Sequence, residues 1–291
     1  MKINLRITNN KFIDQTSRIS FKFDGKTLYG FKGDTLASAL LANDIHLVGR
    51  SFKYHRPRGI MTCGSEEPNA IVQVGNDASM TEPNTRATEI ELYEGLEASS
   101  QNCWPSVNFD IGAINNFFSP FIPAAFYYKT FMAPSRLWPI YEWLIRHAAG
   151  LGRAPVRGDP DRYEAMNIHC DVLIVGGGPS GLSAALAAGQ TGARVILADQ
   201  QSEFGGTLLG GRDEIDSVPG MDWVAQTIRH LEGMKEVTLL PRTTVFGYFN
   251  HNFLVAVERV TDHLGESDNR LPRQKIWRIR ARQVLLATGA I

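Results

Sequence analysis

The chain changes its hydrophobic period along its length. Near the start the period is two: Ile19, Phe21 and Phe23 alternate with polar residues, Asp24-Gly25 supplies a two-residue turn, and 26–31 return as a second strand. Asp34 then stands as the N-cap of a helix whose Leu36, Ala37, Leu40 and Leu41 form one apolar face, ending near Asn43. After a long loop, 70–74 read as another strand, so the order is ββα-loop-β, the start of a β-grasp domain. Later the alternation gives way to short continuous apolar runs. Strands are expected at 170–175 and 193–198 with a small-residue helix between them. A helix at 221–234 and a strand at 237–240 follow, then strand-like runs at 245–249, 253–258 and 276–280 and an apolar strand from 283 that closes on Gly289.

The junction at 175–181 carries chemistry. An apolar strand runs into Gly176-x-Gly178-x-x-Gly181 and then a helix, the order that binds a dinucleotide. Gly176 permits the tight turn, Gly178 lets the backbone approach a pyrophosphate, and Gly181 with Ala185 lets the helix lie close on the sheet. Pro179 suits the first helical position, Gly192 a left-handed end, and the unpaired amides of Ser180 and Gly181 at the helix start would face phosphates. Asp199 ends the second strand about 20 residues beyond the glycines, where a carboxylate accepts from ribose hydroxyls. Its charge disfavours a 2′-phosphate. NAD or FAD is therefore expected rather than NADP, and the fingerprint leaves the choice between those two open. Gly205 and Gly206, and Thr288 and Gly289 in the closing turn, complete the candidate cofactor-binding set. The plainer alternative is a βαβ unit with glycines for packing only.

At 291 residues the chain has room for about two domains, and 43% hydrophobic content suits a globular protein. Thirty basic residues balance thirty acidic ones, so no overall field recruits nucleic acid or an anionic membrane. Cys63, Cys103 and Cys170 lie far apart, which fits a reducing compartment. The first ten residues carry no secretory signal pattern, and the cytoplasm is expected. The aromatic stretch 109–150 is broken by prolines and charges, so no transmembrane helix is expected there; it reads as a connector packed between domains or subunits. Arg50, Lys53, His55, Arg56 and Arg58 crowd into the loop 49–59, which is either a solvated connector or a dock for phosphates or an acidic surface. No His–carboxylate couple or nucleophile elbow is evident, so no catalytic residue is assigned.

Several segments together resemble a known family. Phe23-Asp-Gly-Lys, Gly33-Asp-Thr-Leu-Ala-Ser-Ala-Leu-Leu-Ala-Asn43, Gly49-Arg-Ser-Phe-Lys-Tyr-His-Arg-Pro-Arg-Gly59, Glu66-Glu-Pro-Asn-Ala70, Phe126-Tyr-Tyr-Lys-Thr-Phe131, Val175-Gly-Gly-Gly-Pro-Ser-Gly-Leu182 and Phe204-Gly-Gly206 are similar to the alpha subunits of heterotetrameric sarcosine oxidases. The likeness extends more loosely to related amino-acid and opine dehydrogenases and hydrogen cyanide synthase. It implies NAD in a Rossmann-like domain, a beta subunit whose FAD oxidises the amine, FMN near the alpha–beta boundary, and gamma and delta subunits. Sarcosine would be demethylated to glycine, with the one-carbon unit passed to tetrahydrofolate or released as formaldehyde and oxygen reduced to hydrogen peroxide. The folate would be used by a C-terminal domain beyond this chain, and the other implied roles are an amino-acid or opine dehydrogenase subunit or a redox-inactive scaffold. Ferredoxin-like relatives hold a two-iron two-sulfur cluster with four cysteines in the loop that here spans 51–68. Only Cys63 stands there, so the expectation is a ferredoxin-like fold with no iron–sulfur cluster and no metal. The expected fold is α/β: a ferredoxin-like β-grasp domain over 1–100, a connector over 101–167, and a Rossmann-like FAD/NAD(P)-binding domain over 168–291. The last, as in disulfide-reductase-like flavoproteins, would carry a meander before its final strand, and it is read as incomplete where the chain stops at the Gly289 turn.

Overall fold

A computed structural model describes residues 6, 13–121, 133–148, 150–265 and 270–289. The Phe126–Phe131 segment lies outside them. The chain divides into two compact units, Met1–Pro160 and Asp161–Ile291.

In the first unit, β1 (Asp14–Phe23) and β2 (Lys26–Lys32) form the expected hairpin. Asp24 and Gly25 both take positive φ, 48° and 75°, as a two-residue turn matched to strand twist requires. Helix α1 (Leu36–Ala42) follows. Its N-cap is Thr35 and not Asp34: Thr35 Oγ1 accepts from the Ser38 amide while Ser38 Oγ accepts from the Thr35 amide, a reciprocal capping box. Asp34 turns inward and binds Arg6 through two parallel bonds of 2.9 and 2.6 Å, an acceptor role that a lone sequence position does not reveal.

The strands β3 (Gly49–Arg50) and β4 (Pro57–Arg58) pair as a two-stranded sheet, and Gly49 also bridges to Gln101. With β5 (Ile71–Val74), β6 (Glu82–Arg86) and β7 (Glu97–Ser100), the main sheet runs β2-β1-β7-β5-β6. Strand β7 lies parallel to β1. Phe21, Phe23, Leu36, Leu40, Val72 and Leu96 form the core between α1 and this sheet. Beyond β7 come short helical turns, Ile111–Ala113 and α2 (Ile114–Phe117), and then α3 (Trp138–Ala148).

The second unit is built on β8 (Tyr163–Val175), α4 (Pro179–Gln190) and β9 (Val195–Ala198). Next come the small hairpin of β10 (Glu214–Ile215) and β11 (Val218–Pro219), α5 (Gly220–Glu232) and β12 (Val237–Leu240). Strands β13 (Thr243–Phe249), β14 (Phe253–Arg259) and β15 (Gln274–Leu286) finish it. The sheet order is β12-β9-β8-β15-β14-β13, parallel from β12 to β15 and antiparallel beyond.

Two expected strands, 276–280 and 283–288, are one. Strand β15 pairs parallel with β8 from Gln274 to Leu286 while its first half also pairs antiparallel with β14. Its first part alternates, with Trp277, Ile279 and Ala281 buried between exposed Arg278 and Arg280, whereas after Arg282 and Gln283 its last three residues, Val284, Leu285 and Leu286, are a continuous apolar run, so one strand carries two patterns. Strand β8 likewise starts seven residues before the apolar run at Cys170, because 163–169 need only one apolar face.

Candidate dinucleotide site

Gly176 follows β8 directly. Its φ of +105° and a neighbouring carbonyl leave no room for a side chain: a Cβ there would stand 2.3 Å from the Ala287 oxygen. Gly181, in the first turn of α4, is equally constrained, since its Cβ would fall 1.8 Å from the Gly176 oxygen. Both glycines thus let the helix and β15 close upon the turn. Gly178 is different. It is the N-cap of α4, its backbone is extended, and a Cβ on it would meet nothing nearer than the Gly206 Cα, 3.9 Å away. The fold does not require that glycine, and the space beside it stays open at a helix start where Pro179 holds the first position. Leu182 donates to the Gly178 carbonyl, while Ser180 and Gly181 lie one turn too early for such a bond.

The other candidates converge on the same turn. The Gly205 amide donates to the Gly177 carbonyl at 2.9 Å, which lays the Phe204-Gly205-Gly206 turn against the glycine loop. Phe204 is buried over Gly177, where a Cβ would meet its ring at 2.3 Å. The Ala287 amide donates to Val175, so exposed Thr288 and Gly289 emerge beside Gly176. Asp199 braces the centre: Oδ2 accepts the Gly177 amide and Oδ1 the Gln201 amide, at 2.8 Å for the latter. Burial raises the pKa of Asp199 above its ordinary value, against the pull of those two amides. Both carboxylate oxygens keep lone pairs beyond these two bonds. Gly176, Gly177, Gly178, Pro179, Ser180, Gly181, Asp199, Gly205, Gly206, Thr288 and Gly289 therefore gather at one end of the parallel strands. Phe204 had no signal of its own beyond preceding the glycine pair.

In the first unit the basic loop has internal work. Arg50 donates to the carbonyls of Val107 and His55, at 2.9 and 3.1 Å. The His55 ring meets buried Asp110 at 2.7 Å, and Arg56 donates to Asn116 at 2.8 Å. Arg58 donates to Asn69. The loop is thus neither a bare solvated connector nor uniformly available to anions. Nearby, Glu67 is buried, and its two oxygens collect the amides of Met61, Thr62, Asn69 and Ala70. Burial works to raise its pKa, but those four amides prevail and lower it. Nothing in the pair Glu66-Glu67 distinguished the two residues.

The fold and the glycine cradle define the class: a ferredoxin-like domain followed by an FAD-dependent oxidoreductase domain. Residues 16–103 match the 2Fe-2S iron-sulfur cluster binding domain family, and 171–230 match the FAD dependent oxidoreductase family. Over 98% of its length the chain is 55% identical to sarcosine oxidase subunit alpha of Rhizobium meliloti (strain 1021), and it spans 29% of that protein. It is 35% identical to sarcosine oxidase subunit alpha of Corynebacterium sp. (strain U-96) over 96% of the chain and 24% of the relative. Over nearly its whole length the chain is similar to sarcosine oxidase alpha subunits, and it spans under a third of their length. Among solved structures, L-proline dehydrogenase from P. horikoshii has the same fold, with a TM-score of 0.56 at 20% identity over 97% of this chain and 43% of that one.

One of these matches corrects a cofactor expectation. The other names FAD, the alternative to the NAD that the resemblance implies, as the dinucleotide of the matching family. The expectation of no iron–sulfur cluster is overturned by the match of residues 16–103 to a cluster-binding family. A cysteine count in one loop measures the ligands of that segment, whereas family membership follows from the whole hairpin, helix and sheet. Among the described residues no three His, Cys, Asp or Glu side chains gather as a metal site, so the thiolates for a cluster are not assembled and no ligand is assigned. Among the described residues no helix is long and apolar enough to cross a membrane.

Proposed function

We propose that this chain is the FAD-holding part of the alpha subunit of a cytoplasmic amine oxidase complex of the sarcosine oxidase type, acting on a CH–NH bond. The observation that carries this reading is Gly178, a glycine the fold does not need, facing open space at a helix start within an FAD-family segment. The pyrophosphate would lie against Gly178 and the Ser180 and Gly181 amides, and a ribose on Asp199. Gly176 and Gly181 close the turn, Gly205 and Gly206 wall it, and Thr288 and Gly289 sit where β15 delivers the chain to the cofactor. When bound, the flavin would supply a redox centre for electrons that the amine-oxidising FAD of the beta subunit delivers. This chain's own residues bind and orient; none is placed as an acid or base.

In the full reading a beta subunit carries the amine-oxidising FAD, with FMN at the boundary and gamma and delta subunits completing the complex. Sarcosine is the substrate, glycine and peroxide are products, and the one-carbon unit goes to tetrahydrofolate or leaves as formaldehyde. The family relationship supports this. Flavin analysis of the purified chain tests it: FAD near one per chain, lost in Gly178→Val, is expected. A flavin-free chain that FAD titration does not saturate would end the assignment.

A further inference from the structure

The segment 101–121 buries the carboxylate of Asp110 and turns most of its aromatic side chains outward. Asp110 is its only charged residue; Oδ1 accepts from the Trp104 and Gly112 amides, and Oδ2 faces the His55 ring. The basic loop closes the clasp. Arg50 holds the Val107 carbonyl and Arg56 the Asn116 side chain, and Gly112 lies so close on the His55 imidazole that a Cβ would stand 2.3 Å from it. The Ile111 amide donates to the Trp104 carbonyl at 2.8 Å, joining the two ends of the turn.

Held by this clasp, the segment exposes Trp104, Phe109, Ile114, Phe117, Phe118 and Phe121, the first and third phenylalanines of the last trio to 81%. At roughly 150–250 Å² per aromatic side chain, allowing for the part already covered, this is on the order of 600–800 Å² of apolar surface. That reaches the upper end of what monomers leave in water and about what one partner gives to a standard interface. Aromatic enrichment with charge depletion is the composition of an interface core. An anionic bilayer would instead call for cations among the aromatics. Exposed Arg56, which donates to Asn116, puts positive charge at the loop side of the patch, so the complement is an apolar protein face with carboxylate at that edge.

We infer that the 104–121 surface, clasped by the basic loop, docks the beta subunit of the complex through an apolar face edged by acidic residues. This rests on the subunit reading given above. The test is to co-express the full chain with the beta subunit and measure association by sedimentation, for wild type and for the pair Phe117→Ser, Phe121→Ser. Both phenylalanines face solvent, so the melting temperature and FAD content of the free variant should match wild type. Association at least tenfold weaker in the variant, with hydrogen-exchange protection of 104–121 in the wild-type complex, is expected. An unweakened variant complex, or no protection there, overturns the surface and leaves the subunit reading intact. A wild-type chain that does not bind the beta subunit overturns the subunit reading and the docking with it. Self-association abolished by the pair would assign the patch to a second copy, and sedimentation with phosphatidylserine vesicles abolished by the pair would assign it to a membrane; either replaces the proposal.

Discussion

The carboxylate of Asp199 accepts the amide of Gly177, 22 residues earlier in the chain, and so ties the end of β9 to the middle of the glycine turn. The acid thus holds the turn whose glycines border the site. Asp199→Asn should lower FAD affinity about tenfold, as expected from weakening one hydrogen bond to a charged acceptor. Because burial raises its pKa, Asp199 protonates at higher pH than an ordinary aspartate. Its linked contribution to stability is therefore present below the unfolded value of 3.8 and is lost as pH rises through the folded one. FAD retention should follow the opposite course and fall on acidification, a dependence absent from the Asn variant. Flavin fluorescence against pH measures both.

The two glycine types should separate fold from binding. Gly181→Ala drives a methyl into the Gly176 carbonyl, 1.8 Å away, and should destabilise the second unit by about 1–3 kcal/mol. Gly178→Val meets no protein atom under 3.9 Å at its Cβ and should leave the melting temperature of the flavin-free chain near wild type while abolishing FAD binding. Calorimetry paired with flavin content distinguishes them; equal destabilisation would contradict the distinction.

Glu67 organises the loop 61–70 as a buried anion. Its folded pKa lies below the ordinary 4.5, so the stability it contributes is present above that value and is lost as pH falls through the lowered one. Glu67→Gln keeps the shape but puts a donor where amides need an acceptor. A loss of about 2 kcal/mol at neutral pH is expected, together with a shallower acid-side decline in urea midpoints.

The thiols should react in order of exposure. Burial pushes the Cys170 thiol up to about 11, and Cys103 is also raised by burial, whereas Cys63 is exposed. Iodoacetamide at about pH 8 should modify Cys63 first, Cys103 slowly and Cys170 only after unfolding, as thiolate population dictates. Peptide mapping over time reads the order.

Removing His55 leaves one oxygen of a buried carboxylate without its ring partner and opens space against Gly112. His55→Ala should therefore destabilise the first unit by about 2–3 kcal/mol. It should also loosen 104–121 in hydrogen exchange while flavin content is unchanged.

The sequence by itself determined the elements whose causes are local. Asp24-Gly25 made the hairpin turn because both residues accept positive φ, and the spacing of Gly176, Gly178 and Gly181 announced a strand, turn and helix. Tertiary structure decided what depends on partners distant in the chain. Asp34 left the cap to Thr35 because Arg6 and Ser38 offered its carboxylate better partners. Strand β15 ran through two apparent strands because β8 paired with it along its whole length. The loop 49–59 read as a cluster of charges, and only the fold showed those charges holding the 101–121 segment. Residue type sets which hydrogen bonds and burial a position can have, while long-range pairing selects which of them it makes.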